Sequence, residues 1–308
     1  MMAEVLGLDA GGTKTLALRV GPDGRVLELR SGPGLDPVAG DGPERLRACL
    51  APFGQPRAAT LGLPYHGEVA AVSRWQAEVA VEVLGTGARV MNDVAAAHTG
   101  AFAGAEGVLI LAGTGSMAWA RGPKGEHRVG GFGDLFGDEG SAFWIGRRAL
   151  AAASRQIDGR ARATGFADTL CAKIGAAPDT LIDWTYAAAD RRAHVASVAR
   201  AVSALAGQGD ATAGEVLDAA AAELALAARA AAAAAGWAAP LVWACAGGVF
   251  ADTRVLAGVT GRLGLAPCPR KLPPVGGAAL DAARRAGWAV DEAWIAALAA
   301  DLAARGVT

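Results

Sequence analysis

The sequence has few of the residues that hold small or extracellular proteins together. It contains four cysteines, no two of which form a Cys-x-x-Cys pair, and none of its four histidines stands near a cysteine at zinc-ligand spacing. These features disfavour both a disulfide framework and a zinc site. We therefore expect reduced thiols in a cytoplasmic protein.

Charged residues and long apolar runs are scarce as well. Only 19% of the residues are charged and the formal net charge is −1, so no electrostatic basis exists for a nucleic-acid or anionic-membrane partner. The nearest approach to a membrane span, 219–236, is mostly alanine and is interrupted by Glu223 and Arg229. The first residues lack the basic segment of a signal peptide, so none is expected.

The chain does have a large apolar fraction, 53% of 308 residues, which suffices for about two domains with buried cores. Apolar periodicity and turn residues predict strands over 5–10, 13–20, 25–29, 58–63, 88–91, 107–112, 117–121 and 241–246. The same criteria predict helices over 43–53, 72–84, 93–102, 141–157, 164–174, 192–205, 212–235, 255–263, 278–286 and 291–304.

The pattern of the first strands returns about one hundred residues later. Strand 5–10 is followed by Gly11-Gly12-Thr13, and strand 107–112 by Gly113-Thr114-Gly115-Ser116. In both places a second strand and a Gly-Pro-x-Gly turn come next. The repetition predicts two similar domains that face each other, each with a Gly-rich β-turn.

Both turns have the composition of a phosphate site. Glycines allow backbone N–H groups to approach an anion closely. In the first turn, the hydroxyls of Thr13 and Thr15 could donate to phosphate oxygens, while Lys14 could pair with them or face solvent. Asp9, at the end of the preceding strand, could hold a hydrated Mg²⁺ ion. Ordinary hairpins are the alternative for either turn, but two equivalent turns favour a nucleotide.

Two standard nucleotide-binding motifs are missing. No Gly-x-x-x-x-Gly-Lys-[Ser/Thr] segment occurs, so the chain is not a P-loop protein. No Gly-x-Gly-x-x-Gly opens a helix after the first strand, which disfavours a dinucleotide-binding Rossmann domain.

Three further segments carry polar or glycine-rich chemistry. Asp93, after Asn92 and a predicted strand, could cap the next helix or accept a proton from a substrate hydroxyl. The Gly-rich segment 130–141 could wrap a polyhydroxylated ligand or connect to a helix capped by Asp138 or Ser141. The Gly247-Gly248 pair could admit a flat base or ribose, or form a tight strand-to-helix turn.

In this order, the segments resemble the actin-like ATPase superfamily, and within it the BadF/BadG-type group that includes N-acetylglucosamine kinase. The resemblance covers almost the whole chain. It implies an α/β fold of two actin-like (ribonuclease H-like) domains, each a mixed five-stranded sheet with flanking helices, and ATP in the inter-domain cleft. The expected domains are 1–113, joined by helix 291–304, and 114–290 with helical insertions.

The resemblance also implies roles for individual residues. Asp93 matches the catalytic base, and Asp9 matches the residue that organises Mg²⁺. The residues that match ATP contacts are Gly11, Gly12, Thr13, Lys14, Thr15, Gly113, Thr114, Gly115, Ser116, Gly247 and Gly248. Those expected to bind the sugar are Asp36, Asn92, Asp93, Gly131, Phe132, Gly133 and Asp138.

Three departures from the family pattern surround the sugar. Asp36 precedes Pro37 where asparagine is usual, and Phe132 stands where tryptophan is usual. The segment 62–68 is not the small-residue, Gly-rich version of many relatives. These departures leave the identity of the sugar open.

The function implied is an ATP- and Mg²⁺-dependent sugar kinase, with N-acetylglucosamine converted to its 6-phosphate as the first expectation. Glucosamine or N-acetylmuramic acid are the alternative substrates. An ATPase activator of a radical dehydratase is disfavoured because no cysteine has a paired, cluster-like context, and a non-catalytic sugar sensor because both Asp9 and Asp93 are present. A homodimer is expected.

Overall fold

The computed structural model describes residues 4–12, 14–37, 40–237 and 241–307. The chain divides into two compact units. Unit 1 comprises Met1–Glu106 and Pro269–Thr308, and unit 2 comprises Gly107–Cys268. The chain thus passes between the units after residues 106 and 268, whereas the sequence predicts domain boundaries after residues 113 and 290.

The strands and helices follow the order that the apolar periodicity predicts, apart from β8 and α6, for which it gives no range. The strands are β1 (Val5–Ala10), β2 (Lys14–Val20), β3 (Val26–Pro33), β4 (Ala58–Leu63), β5 (Ala88–Asn92), β6 (Gly107–Ala112), β7 (Ser116–Gly122), β8 (Gly125–Gly130) and β9 (Trp243–Ala246). The α-helices are α1 (Gly42–Leu50), α2 (Ala70–Leu84), α3 (Asp93–Phe102), α4 (Ala142–Ile157), α5 (Phe166–Ile174), α6 (Leu181–Tyr186), α7 (Arg191–Gly207), α8 (Ala211–Ala234), α9 (Thr253–Leu263), α10 (Pro274–Arg285) and α11 (Glu292–Ala304). Short 3₁₀ helices lie at Ala51–Phe53, Pro178–Thr180 and Gly248–Ala251.

The two sheets repeat one topology. In unit 1 the strand order is β3-β2-β1-β4-β5, with β1 antiparallel to β2 and parallel to β4. In unit 2 the order is β8-β7-β6-β9, with β6 antiparallel to β7 and parallel to β9. The predicted match between the two halves is therefore confirmed, and each Gly-rich turn joins the central strand to its antiparallel neighbour.

One part of the fold prediction is wrong: the described part of unit 2 forms a sheet of four strands rather than five. The backbone N–H of Cys268 donates to the carbonyl of Trp243 in β9 at 2.8 Å, where a fifth strand would begin. Cys268 stands between Pro267 and Pro269, which have no N–H to donate. A hydrogen-bonded ladder cannot continue along such a segment.

Helices cover the sheets on both faces in unit 1. One apolar core lies between the sheet and α10 and α11, and a second lies between the sheet and α1 and α2. In unit 2 a single core joins the sheet to α4, α7, α8 and α9. None of the helices in the described ranges is both long and apolar enough to cross a membrane.

Several element boundaries differ from the sequence prediction for local reasons. Helix 164–174 begins only at Phe166, because Gly165 adopts a left-handed conformation (φ +85°) at its N-cap. Helix 43–53 ends as an α-helix at Leu50 and continues as a 3₁₀ turn. The short helix α6 has no counterpart in the sequence prediction.

Candidate functional site

Asp9 lies at the carboxyl end of the central strand of unit 1. Asp9 pairs with Gly62 in β4, and Gly62 pairs with Met91 in β5. Asp93 stands two residues after Met91, at the first position of α3. Gly62 has no side chain, and a Cβ atom there would lie only 3.4 Å from the Cα atom of Asp93. The parallel strands thus bring Asp9 and Asp93 to one edge of the sheet.

The position of Asp9 favours its protonated form. Burial at the strand end, and secondarily the negative charge of Asp93, raise the pKa of Asp9 to about 7. A carboxyl group with this pKa carries its charge at neutral pH only part of the time. A bound cation would stabilise the charged form of Asp9.

Asn92, rather than Asp93, caps helix α3. Its Oδ1 accepts from the backbone N–H of Val94 at 3.0 Å, and its Nδ2 donates to the carbonyl of His66 and to Oε1 of Glu68. The Asn92 side chain is buried, and its amide is committed to these partners. Asp93 is half-buried at the first position of the helix, and its Oδ1 accepts from the same Val94 N–H at 2.9 Å.

Sequence analysis missed the residues that fix the 62–68 segment beside Asp93. Gln76, which is buried on α2, contacts Nδ1 of His66 and donates to the carbonyl of Pro64. Glu68 binds the Asn92 amide. A glutamine on the apolar face of a predicted helix was the available signal, because a buried amide needs partners.

The first Gly-rich turn lies beside Asp9. Gly11 donates to the carbonyl of Lys14 at 2.9 Å, while Gly12 and Lys14 are exposed at the tip. The hydroxyl of Thr15, which is 2% exposed, donates to the carbonyl of Pro33. As a phosphate contact Thr15 remains a prediction, and the corresponding prediction for Thr13 lies outside the described residues.

The residue before Asp36 is hydrogen-bonded to this turn. The backbone N–H of Leu35 donates to the carbonyl of Gly11 at 3.1 Å, and Asp36 itself is exposed. Unit 1 therefore contains the predicted magnesium and base residues, the described residues of the first turn, and the predicted sugar contacts Asp36, Asn92 and Asp93.

The second Gly-rich turn, in unit 2, is held by the start of helix α4. Ala142 and Phe143 donate their backbone N–H groups to the carbonyls of Gly113 and Thr114, at 2.9 and 3.3 Å. The Ser116 hydroxyl donates to the carbonyl of Glu139 at 2.7 Å, and Ser116 is buried. These contacts hold the second turn against residues 139–143, which follow the Gly-rich loop.

Asp138 lies beneath this turn. It is 3% exposed, and its Oδ2 accepts from Nη2 of Arg192 at 2.6 Å. A Cβ atom on Gly115 would come within 2.7 Å of the same oxygen, so the turn passes directly over the ion pair. Arg192, which sequence analysis missed, stands 54 residues away on α7, and no local motif marks it.

The other residues predicted to bind sugar in unit 2 form an exposed loop. Gly131 and Gly133 have φ values of +72° and +84°, which glycine tolerates. The carbonyl of Gly131 accepts from Nη2 of Arg128, and the Arg128 guanidinium lies over the ring of Phe132, 5.4 Å from its centroid. Phe132 is 65% exposed, which leaves its ring available to a ligand.

Gly247 and Gly248 bring β9 against the second turn. Gly247 has φ +100°, and a Cβ atom there would lie 2.2 Å from the carbonyl oxygen of Ala112. Gly248 borders a cavity of about 570 Å³ together with Gly113 and Thr114. Unit 2 therefore brings the second turn and the predicted adenosine turn to one cavity, whose volume is typical of small-ligand sites.

The far wall of this cavity was missed by sequence analysis. It includes Arg200 and Ser203 on α7 and Asp252 at the start of α9. Asp252 accepts from the N–H groups of Arg254 and Val255 and from the Ser203 hydroxyl. The sequence Asp252-Thr253 after a glycine turn is typical of a helix N-cap and indicates the capping role of Asp252. No comparable pattern in the sequence marks Arg200 or Ser203 on α7.

The donor set near Asp9 fits magnesium better than a softer metal. Its candidate ligand is the Asp9 carboxylate, and Mg²⁺ is usually bound by one or two carboxylates with water and phosphate oxygens completing the shell. Within the described ranges, no group of three or more His, Cys, Asp or Glu side chains is arranged to hold a metal. The four cysteines are free thiols.

Comparison with known protein families shows to which family the chain belongs. The model of the BadF/BadG/BcrA/BcrD ATPase family matches residues 6–263, which include both Gly-rich turns, Asp93 and the Gly247-Gly248 pair. The chain belongs to this family. The resemblance inferred from the sequence is thereby confirmed, and membership of an ATPase family supports ATP as the nucleotide.

One characterised relative resembles part of the chain. It is the N-acetylmuramic acid/N-acetylglucosamine kinase of Clostridium acetobutylicum, with 34% identity over 142 residues. The match spans 44% of this chain and 45% of that protein, so this chain covers less than half of the relative's length.

Solved structures share the fold over nearly the whole chain. A proposed N-acetylglucosamine kinase from Chromobacterium violaceum has a TM-score of 0.72 at 24% identity and covers 91% of this chain and 99% of its own. A ROK family glucokinase from Streptomyces griseus, in complex with glucose and AMPPNP, has a TM-score of 0.52 at 18% identity, covering 91% and 98%. At these identities the likeness is one of fold, and it confirms the predicted α/β class of two actin-like domains.

Proposed function

We propose that the protein is a sugar kinase that transfers the γ-phosphoryl group of ATP to a hydroxyl of an amino sugar. The observation that carries the proposal is the carboxyl pair of Asp9 and Asp93 beside the first Gly-rich turn. Phosphoryl transfer needs charge neutralisation and alignment, and a base positioned on the attacking hydroxyl. Family membership and the named activity of the Clostridium relative support the same class.

In this proposal Asp93 is the general base. Its carboxylate accepts the proton of the sugar hydroxyl as the oxygen attacks the γ-phosphorus, and the bond to the bridging oxygen of ADP breaks. Because Asn92 supplies the helix cap, Asp93 is not needed for that role. Asn92 and the 62–68 segment that it binds hold the first turn of α3 in position beside the substrate.

Asp9 would hold Mg²⁺ beside the first turn, where the ion supplies positive charge that neutralises the phosphate oxygens. Gly11, Gly12, Thr13, Lys14 and Thr15 are proposed to contact the phosphates from unit 1. From unit 2, the proposed contacts are Gly113, Thr114, Gly115 and Ser116, and the adenosine would lie in the cavity beside Gly247 and Gly248.

The proposed acceptor is N-acetylglucosamine, phosphorylated at its 6-hydroxyl, with N-acetylmuramic acid and glucosamine as the alternatives. The proposed sugar contacts are Asp36, Asn92, Asp93, Gly131, Phe132, Gly133 and Asp138. Of these, the exposed Phe132 ring is suited to stacking on a sugar face, whereas Asp138 is paired with Arg192 and would act mainly by supporting the second turn. The homodimer remains a prediction.

A coupled ADP-release assay tests the function. With Mg²⁺ and ATP, release of ADP is measured for N-acetylglucosamine, N-acetylmuramic acid, glucosamine and glucose, and the product is identified by mass spectrometry. Turnover that depends on one amino sugar is expected. ADP release that is equal with and without every sugar would contradict a kinase and favour an ATPase.

A further inference from the structure

Four arginines line one groove of unit 2 that shares no residue with the proposed nucleotide and sugar contacts. They are Arg147, Arg148 and Arg155 on α4 and Arg162 in the segment that follows, and the groove has a volume of about 780 Å³. We propose that this groove binds a small polyanion that carries two or more phosphate groups. The proposal goes beyond the kinase function and does not depend on it.

The groove has an excess of positive charge. In the part of the chain that the structure describes, none of the four guanidinium groups forms a side-chain hydrogen bond or an ion pair. The nearby Asp158 pairs with Arg160, with an Nε–Oδ2 distance of 2.7 Å, and it also interacts electrostatically with Arg155 without a direct ion pair. Glu215 is the acidic residue among the lining residues, so four positive charges face one negative charge.

Stacking prepares one of the arginines to bind an anion. The guanidinium of Arg148 lies over the ring of Trp144, 4.7 Å from the ring centroid, and Trp144 is buried. Stacking uses the face of the guanidinium plane and leaves its N–H edge free. An anchored guanidinium loses less side-chain entropy when it donates to a phosphate, so Arg148 is suited to fix one anionic group.

The spacing along α4 favours more than one anionic group. Arg148 and Arg155 are seven residues apart, which places them on one face of the helix about 10 Å apart along its axis. Ala151 and Ala152 between them leave the floor of the groove open. Thr212 on α8 lines the opposite side and offers a hydroxyl. A ligand with phosphates at both ends of a sugar-sized frame would reach both arginines.

The size of the groove and the net charge of the chain favour a small ligand over nucleic acid. The groove falls in the size range of small-molecule sites. The net charge of the chain is −1, so the four arginines are a local concentration of positive charge rather than part of a basic protein. Binding of duplex DNA to the same arginines would overturn the assignment.

Calorimetry on the full chain tests the proposal in the absence of nucleotide, because ADP itself carries two phosphate groups and could occupy the groove. Fructose 1,6-bisphosphate and inositol hexakisphosphate serve as probes. We expect binding that weakens as salt increases, and a loss of about tenfold or more for the double variant Arg148→Gln/Arg155→Gln, because two charge-assisted hydrogen-bonding groups are removed.

The matched control is Arg191→Gln/Arg229→Gln, which removes two exposed charges from unit 2 outside the groove. It should keep wild-type affinity for both probes. If the first double variant does not fold, as judged by circular dichroism, Arg147→Gln/Arg162→Gln takes its place. The proposal is overturned if the wild type fails to bind either probe at about 10 mM, if the control loses as much affinity as the groove variant, or if a 20-base-pair DNA duplex displaces the probes.

Discussion

Arg192 reaches from α7 to the buried carboxylate of Asp138 and donates to it at 2.6 Å, directly under Gly115 of the second Gly-rich turn. The pair thereby connects α7, which borders the cavity proposed to hold the adenosine, to the turn that is proposed to contact phosphate. Because Asp138 is buried, it depends on Arg192 for its charge balance. Loss of one partner should therefore affect both stability and nucleotide affinity.

We expect Arg192→Met to raise the KM for ATP by about tenfold and to lower the free energy of unfolding by about 1–3 kcal/mol, since it leaves a buried carboxylate unpaired. Asp138→Asn is the milder matched variant, because the amide oxygen still accepts from Arg192. Adding Asp138→Asn to Arg192→Met should recover part of the lost stability. Strictly additive effects in urea denaturation would contradict the coupling.

Asp93→Asn tests the proposed base. The amide is nearly isosteric and can hydrogen-bond the sugar hydroxyl, but it cannot take the proton. We expect kcat to fall by about 10²–10⁴-fold with little change in the KM values. Asp41→Asn is the control, because Asp41 is exposed and makes no side-chain cap to α1. Wild-type kcat in the Asp93 variant would leave Asp93 with only a structural role.

The raised pKa of Asp9 predicts a pH-dependent stability in the absence of Mg²⁺. The folded state holds the Asp9 proton more tightly than the unfolded chain, whose pKa is near 3.8, so stability falls as the pH rises from about 4 to about 7. Asp9→Asn removes this loss and should unfold less readily than wild type at about pH 8, by at most about 4 kcal/mol.

Thermal melts in EDTA across this pH range measure the Asp9 effect, with Asp41→Asn as the control carboxylate. Parallel pH profiles for wild type and Asp9→Asn would contradict the raised pKa. Addition of Mg²⁺ should raise the melting temperature of wild type at about pH 8 and have a smaller effect on the variant, which tests the ligand role separately.

Two adjacent glycines allow a matched test of the β9 turn. Gly247→Ala places a Cβ atom 2.2 Å from the Ala112 carbonyl at φ +100°, and should cost about 2–4 kcal/mol of stability. A Cβ atom on Gly248 meets no atom within 4 Å, so Gly248→Ala should fold normally and change only the KM for ATP. Equal melting temperatures for the two variants would contradict this assignment.

The fold was largely predictable because its strands carry strong local signals. The repeated strand–turn–strand pattern at Gly11-Gly12 and Gly113–Gly115 predicts that the two sheets share one topology. The fifth strand of unit 2 was predicted from family resemblance alone. The residues at its expected position, Pro267 and Pro269, already argue against it on chemical grounds.

The candidate site was predictable where its residues lie in turns and less so where they lie on helices. Asp9 and Asp93 follow strands, and parallel strands that end together bring such residues to one edge. Helix α7 contains Arg192, Arg200 and Ser203. The buried face of this helix accounts for its apolar pattern, so the sequence does not distinguish these three residues from other surface residues. Arg192 and Ser203 are placed by tertiary contacts that span 54 and 49 residues of chain.

The prolines on either side of Cys268 have a consequence for self-association. An open strand edge offers unpaired N–H and C=O groups on which another chain can add a strand. Beside β9, the Cys268 N–H already occupies the carbonyl of Trp243, and Pro267 and Pro269 present no donors to an incoming backbone. Strand exchange or intermolecular sheet growth is blocked at this edge, so two copies of the chain would have to associate through a different surface.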